Sequence, residues 1–232
     1  ANQGGNTAPQ ALRTLTEVVF SPGTRTIIPA HSSFVTAVDI DSQGRFVVSA
    51  ARDGLVRLWS LADGSLVRDL TGHRGDVQAA VFSPDGRQVA SGALDFRTIL
   101  WDVETGAALH TLEGHSAAVR AIAFSPDGRL VVTGGRDSDV LVWDTASGAL
   151  LERRGEHSAT VQALVFSPAG DILASGSGNG EIIFWDTRTW TPIRQLTGSA
   201  NGVNDIDFFA DGARIVAALA DGTLAVWQVE SG

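Results

Sequence analysis

Residues 77–102 read VQAAVFSPDGRQVASGALDFRTILWD, and this stretch decides the fold. Val77–Phe82 is apolar and mostly small, as a strand between two packed surfaces would be. Ser83-Pro84-Asp85-Gly86 follows, with Pro and Gly placed where a tight turn prefers them. Gln88–Ser91 leads into a second turn at Leu94–Phe96. Thr98, Ile99, Leu100 and Trp101 form a β-rich third strand. A turn at Glu104-Thr105-Gly106 precedes a weaker fourth strand, Leu109–Leu112. No helical period runs through any of this, so the unit is all-β.

The unit recurs. Trp59, Trp101, Trp143, Trp185 and Trp227 stand 42 residues apart without a slip. A period of this size marks radial or linear stacking of one supersecondary unit. A single four-stranded sheet cannot bury both faces, whereas copies stacked around an axis bury them and leave short edges. The third strand of the fifth unit, ending at Val226-Trp227-Gln228-Val229-Glu230, has no fourth strand after it. Arg25–Ile28 precedes His31 much as Val67–Leu70 precedes His73, so it can supply the missing strand. The expectation is a ring of five four-stranded blades, closed by an N-terminal outer strand. The alternative is a fragment, or a shared part, of a larger ring. Thr16–Phe20 with Ser21-Pro22-Gly23 reads as an extra edge strand or as the remnant of a preceding unit. Residues 1–15 read as a flexible polar tail and 16–232 as one domain.

Composition narrows the chemistry. Net charge is −9, and all 17 basic residues are Arg. That balance argues against a nucleic-acid surface. Cys is absent, which excludes disulfides and thiolate metal sites. No apolar run reaches the roughly 18 residues of a membrane helix, so direct insertion is not expected. The opening at Ala1 rather than Met suggests trimming, processing or excision from a longer chain.

These residues resemble the WD40 repeat family. The resemblance rests on Gly-His openings at His73 and His115, His at the same place as His31 and His157, Ser-Pro-Asp-Gly turns, and Trp-Asp at 101, 143 and 185. It covers about nine-tenths of the chain, although the family's usual blade number is seven. It implies a buried tetrad in each blade: an opening His, a second-strand Ser or Thr, a turn Asp and the third-strand Trp. His31, Ser49, Asp53 and Trp59 match, as do His73, Ser91, Asp95 and Trp101, and His115, Thr133, Asp137 and Trp143. The fourth unit has His157, Ser175 and Trp185, but Asn179 stands in for the acid. The fifth has Ser199, Ala217, Asp221 and Trp227 and loses two members. An unmet buried polar group costs roughly 1–3 kcal/mol, so the fourth and fifth blades should be the softest.

Catalysis is not expected. His115, Thr133 and Asp137 could pass for a hydrolase triad, but the set recurs in three units and an enzyme needs one. Asp39-x-Asp41-x-Gln43-Gly44 starts like a calcium loop, yet Ala50 occupies its twelfth position. Gly176-Ser177-Gly178-Asn179-Gly180 lies in a strand-to-strand turn and lacks dinucleotide spacing. No cofactor or metal is expected.

Recognition then falls to positions that vary between units. The resemblance places partners on the face around the central opening. Matching positions are Phe34, Thr36, Asp76, Gln78, Arg120, Thr160, Gln162 and Asn204, with Arg52, Leu94 and Arg136 from the second turn. Trp190, outside the repeat and on the opposite face, is a candidate exposed anchor or a residue packed on Pro192. Phe96 and Phe209 stand where other units carry turn residues. The expected activity is a protein-interaction scaffold with a protein or peptide partner, alone or as part of a larger assembly. The alternatives are a structural accessory subunit and a regulatory domain cut from a kinase or NTPase, as bacterial members of the family commonly are. A small-ligand site or enzyme ranks below these.

Overall fold

The computed structural model describes residues 27–197 and 202–229. Among these residues nineteen strands form five antiparallel sheets. The first contains β1 (Val35–Ile40), β2 (Phe46–Ala51), β3 (Val56–Ser60) and β4 (Leu66–Leu70). The second contains β5 (Val77–Phe82), β6 (Gln88–Ala93), β7 (Arg97–Asp102) and β8 (Ala108–Glu113). The third contains β9 (Val119–Phe124), β10 (Leu130–Gly135), β11 (Val140–Asp144) and β12 (Leu150–Arg154). The fourth contains β13 (Val161–Phe166), β14 (Ile172–Ser177), β15 (Glu181–Asp186) and β16 (Thr191–Thr197). The fifth has three strands, β17 (Val203–Phe208), β18 (Arg214–Leu219) and β19 (Leu224–Gln228).

The turn between first and second strands is built by side-chain capping. Ser83 Oγ accepts the Gln88 N–H at 2.9 Å and donates to Asp85 at 2.7 Å. Asp41 replaces this serine in the first sheet and accepts the N–H groups of Arg45 and Phe46 at 2.6 and 2.8 Å. The acid that resembled a calcium ligand is therefore a buried turn cap. Phe209, at the same place in the fifth sheet, loses the hydroxyl and instead lies 4.4 Å beneath the Arg214 guanidinium.

Consecutive sheets pack against one another, first strand beside first strand. One cluster joins Val48, Leu58 and Leu70 of the first sheet to Val77, Val89 and Trp101 of the second. Another joins Ile182 and Phe184 to Val203, Ile206 and Ile215. Gly92, Gly134 and Gly176 mark the closest approach between neighbours. A Cβ on Gly92 would fall 2.5 Å from Val119 Cγ1, and one on Gly134 would fall 2.5 Å from Val161 Cγ1. Any side chain there would push two sheets apart.

The two ends of this stack are bare among the described residues. Val38 is 67% exposed, while its counterpart Ile122 is 6% exposed. Val226 is 55% exposed, while Val142 is fully buried. The expected latch strand Arg25–Ile28 falls partly outside the described residues. Ile27 and Ile28 are described and are not in a strand, because no ladder partner holds them. Ile28 instead sits beside Gly64, with its Cδ1 3.0 Å from where a Cβ would stand. Leu70 approaches Gly106 in the same way one repeat later. The tail over residues 1–15 and the segment Thr16–Phe20 lie outside the described residues.

Candidate partner-binding site

A β-bulge recurs at one place in all five sheets. Val35 pairs with Ala51 and Ala37 with Ala50, so Thr36 is left over. The same skip isolates Gln78, Arg120, Gln162 and Asn204 in β5, β9, β13 and β17. A bulge bends its strand and turns the extra residue away from the ladder. Here it turns five polar side chains, of four types, toward one opening. Thr36, Gln78, Arg120, Gln162 and Asn204 line a single pocket of about 510 Å³, together with Phe34, Val35 and Arg52. Val35 was not foreseen, since its counterparts Val77, Val119, Val161 and Val203 are fully buried between sheets.

A ring of backbone bonds supports the rim. The N–H of Arg52 donates to the carbonyl of Phe34 at 3.0 Å. Leu94 bonds Asp76 at 2.9 Å, Arg136 bonds Ala118 at 2.8 Å, and Gly178 bonds Thr160 at 2.9 Å. Asp76, Leu94, Arg136 and Thr160 thus sit on the rim and outside the pocket lining.

The pocket lining carries two arginines and no acid, with Arg136 and Asp76 on the rim. The Arg120 Nη1–H donates to Gln78 Oε1, a neutral acceptor. The Arg52 guanidinium lies 5.5 Å from the ring centre of Phe34, which is 75% exposed. Burial lowers the Arg120 pKa, and the charges of Arg136 and Arg52 lower it further. Among the described residues no ion pair within 4.0 Å involves Arg52, Arg120 or Arg136.

The side-chain relays lie behind this rim. Trp59 Nε1–H donates to Ser49 Oγ at 2.8 Å, and that oxygen lies 2.7 Å from His31 Nε2. His31 Nδ1 is 3.1 Å from both Asp53 oxygens. Trp101, Ser91, His73 and Asp95 repeat the chain at 2.7, 2.8 and 3.1 Å. Trp143, Thr133, His115 and Asp137 repeat it at 2.9, 2.8 and 3.0 Å. Burial lowers the His73 pKa more than Asp95 raises it, which favours a neutral ring donating through Nδ1. Burial would raise Asp137, but the hydrogen bond and charge of His115 and two backbone N–H groups outweigh it and bring Asp137 to about 2.

The fourth relay corrects the expectation for Asn179. Trp185 bonds Ser175 at 2.8 Å and Ser175 meets His157 at 2.6 Å, but the acid is Glu181, 3.0 Å from His157 Nδ1. Glutamate starts two residues later and is one methylene longer, so it reaches the same point. Gln195 on β16 donates to its other oxygen. Asn179 serves the turn instead, donating to Ser158 at 2.8 Å. An acidic residue entering a third strand was the signal in the sequence. In the fifth sheet Ala217 has no hydroxyl, and Ser199 lies outside the described residues.

Trp190 is likewise not an exposed anchor. It is 7% exposed and packs with Phe166 and Trp185. It takes the turn position held by Gly64, Gly106 and Gly148, with φ of +54°. Burial of the indole offsets the left-handed strain. Phe96 takes φ of +69° at a second turn and stays 46% exposed.

Comparison with known proteins places the chain. The family described as WD domain, G-beta repeat matches residues 18–60, 64–102, 106–144, 149–186 and 190–228. Each match from the second onward begins with an outer strand and continues into the next sheet, so sequence repeat and sheet are staggered by one strand. Mitochondrial division protein 1 of Aspergillus niger is 43% identical over 60 residues, covering 25% of this chain and 9% of that protein. A probable E3 ubiquitin ligase complex SCF subunit sconB from Talaromyces stipitatus is 40% identical over 55 residues, 24% of this chain and 8% of its own length. Human proteasomal ATPase-associated factor 1 is 38% identical over 52 residues, 22% and 13% of the two chains. The chain therefore spans roughly a tenth of these relatives, which are fungal and human and lend no support to a bacterial source. With five family matches over most of its length and five antiparallel sheets of the same period, this chain belongs to the WD40 repeat family.

Proposed function

We propose that this chain is a non-catalytic protein-interaction module that holds a protein or peptide partner over the pocket bounded by Thr36, Gln78, Arg120, Gln162 and Asn204. The observation that carries this reading is the recurring bulge. The framework keeps the same geometry in every sheet, while the one residue turned into the opening is Thr, Gln, Arg, Gln and Asn in succession, four residue types in five sheets. Repeated backbone with varied side chains suits recognition, because specificity resides in pocket-lining groups. The printed names of two relatives, an SCF complex subunit and a proteasomal ATPase-associated factor, support a place within a larger assembly.

The same reading takes the five sheets as one ring, with its seam between the fifth and first and the segment before Ile28 completing the fifth. Three observations support it. Side chains from all five sheets border one pocket. Ile28 lies against Gly64 as Leu70 lies against Gly106. The bare faces at Val38 and Val226 match the pairs buried at each internal junction.

A photo-crosslinking residue at position 162, compared with one at exposed position 127 on the opposite end of the sheet, tests the binding role. Labelling of a defined protein from 162 and not from 127 is expected. Equal labelling from both positions would remove the pocket's claim, and saturable turnover lost on a Gln162 substitution would overturn the non-enzyme reading.

A further inference from the structure

We propose that the pocket selects a carboxylate, presented by an Asp or Glu side chain of an extended partner segment with an apolar residue beside it. This rests on the reading of the pocket as the partner-binding site and adds the chemistry of the partner.

Charge is the first reason. The chain is strongly acidic, at −9. Yet the first, second and third sheets bring Arg52, Gln78, Arg120 and Arg136 to one mouth, and three of these four are cations. None is joined to a carboxylate among the described residues, whereas Arg57, Arg97 and Arg153 elsewhere each meet an acid. Arg120 is half-buried and feels the charges of both other arginines. Neighbouring like charges repel and are held together most favourably by an anion between them.

Hydrogen-bonding capacity is the second. Gln162, Asn204 and Thr36 complete the lining, and each can donate. No acidic side chain lines the pocket. An incoming carboxylate would meet guanidinium forks on one side and amide or hydroxyl donors on the other. Charge-assisted bonds of this kind are roughly twice as strong as neutral ones.

Shape is the third. A volume of about 510 Å³ holds a side chain and part of its backbone. Phe34 stands exposed at the edge with Arg52 against its ring, so an apolar neighbour of the acid finds a surface there. Asp76, whose carbonyl holds the Leu94 N–H, is a rim residue, and its negative charge disfavours a partner carrying several acids.

A positional-scanning library of short peptides, screened on the full chain, tests this. Wild type should enrich Asp or Glu at one position with a Leu, Ile or Phe adjacent. Arg52→Gln and Arg136→Gln, which alter exposed side chains, should each weaken the best acidic peptide about tenfold at an unchanged melting temperature. Arg120→Gln should abolish the preference, and its own melting curve separates loss of fold from loss of site. Enrichment of neutral or basic peptides that still map to Gln162 and Asn204 would overturn the carboxylate and leave the interaction module standing. A phosphoserine peptide bound more than tenfold tighter than its Glu counterpart would overturn it as well. Identical selection by wild type and the arginine variants, with no mapping to the pocket, would remove both readings.

Discussion

Glu181 Oε2 lies 3.0 Å from His157 Nδ1, the place that aspartate takes in the first three sheets. The fourth relay is therefore as complete as the third, although its acid comes from another column of the repeat. Burial lowers the His157 pKa despite this partner, so the ring reads as neutral there too.

Removing that acid should be costly. Glu181→Ala leaves a buried imidazole N–H unpaired, and the expected loss is about 1–3 kcal/mol. Asn179→Ala removes two exposed turn bonds and the acceptor of the buried Ser177 hydroxyl, which keeps the Glu181 carbonyl as a partner, so it should lose less, about 1 kcal/mol. Urea denaturation of both variants checks the order, and the reverse order would return the role to Asn179.

The third and fifth sheets should differ in the same sense. Asp137→Ala strands His115, which is buried and joined to Thr133 at 2.8 Å. Asp221 accepts the N–H and hydroxyl of Thr223 in its turn, and Ala217 brings no hydroxyl from which a relay could be built. Asp137→Ala is expected to lower the denaturation midpoint clearly more than Asp221→Ala. Equal midpoints would count against the relay as a source of stability.

Acid should unfold the protein in two stages. His73 and His157 bind protons less readily when folded than at the ordinary value of 6.5. The unfolded chain therefore gains protons first, so their contribution is present above pH 6.5 and lost as pH falls below it. Asp137, brought from 3.8 to about 2, contributes above pH 4 and is lost between there and pH 2. Midpoints measured from pH 8 to 3 should be flat at first and then fall. A midpoint that rises from pH 7 to 5 would contradict the direction assigned to both histidines.

Two turns hold residues that suit them poorly. Phe96 and Ser138 have φ of +69° and +68°, where Gly54, Gly180 and Gly222 stand in the other sheets. A left-handed conformation costs a non-glycine residue roughly 1–2 kcal/mol. Phe96→Gly and Ser138→Gly should each raise stability by about 1 kcal/mol. Unchanged melting temperatures for both would mean that those side chains earn their place by contacts.

The seam has its own test. Val38→Asp should cost on the order of 2–3 kcal/mol if the fifth sheet covers the first in solution, approaching the effect of Ile122→Asp. A loss under about 0.5 kcal/mol, with Ile122→Asp still severe, would sink the closed ring.

Much of this molecule was legible in its sequence. The 42-residue spacing of tryptophan, with turn residues at constant offsets, determined five all-β units, because period and turn chemistry are local properties of the chain. Three complete relays could be read from residues standing in register, because identical backbones place identical side chains alike. Tertiary structure decided the rest. Glu181 rather than Asn179 completes the fourth relay, since hydrogen bonds are chosen by reach in space and not by column. Trp190 is buried in a glycine's place because the core cluster that holds Phe166 and Trp185 accepts its ring. Thr36, Gln78, Arg120, Gln162 and Asn204 share one pocket because a bulge turns each of them inward, and bulges are set by strand pairing rather than by residue type.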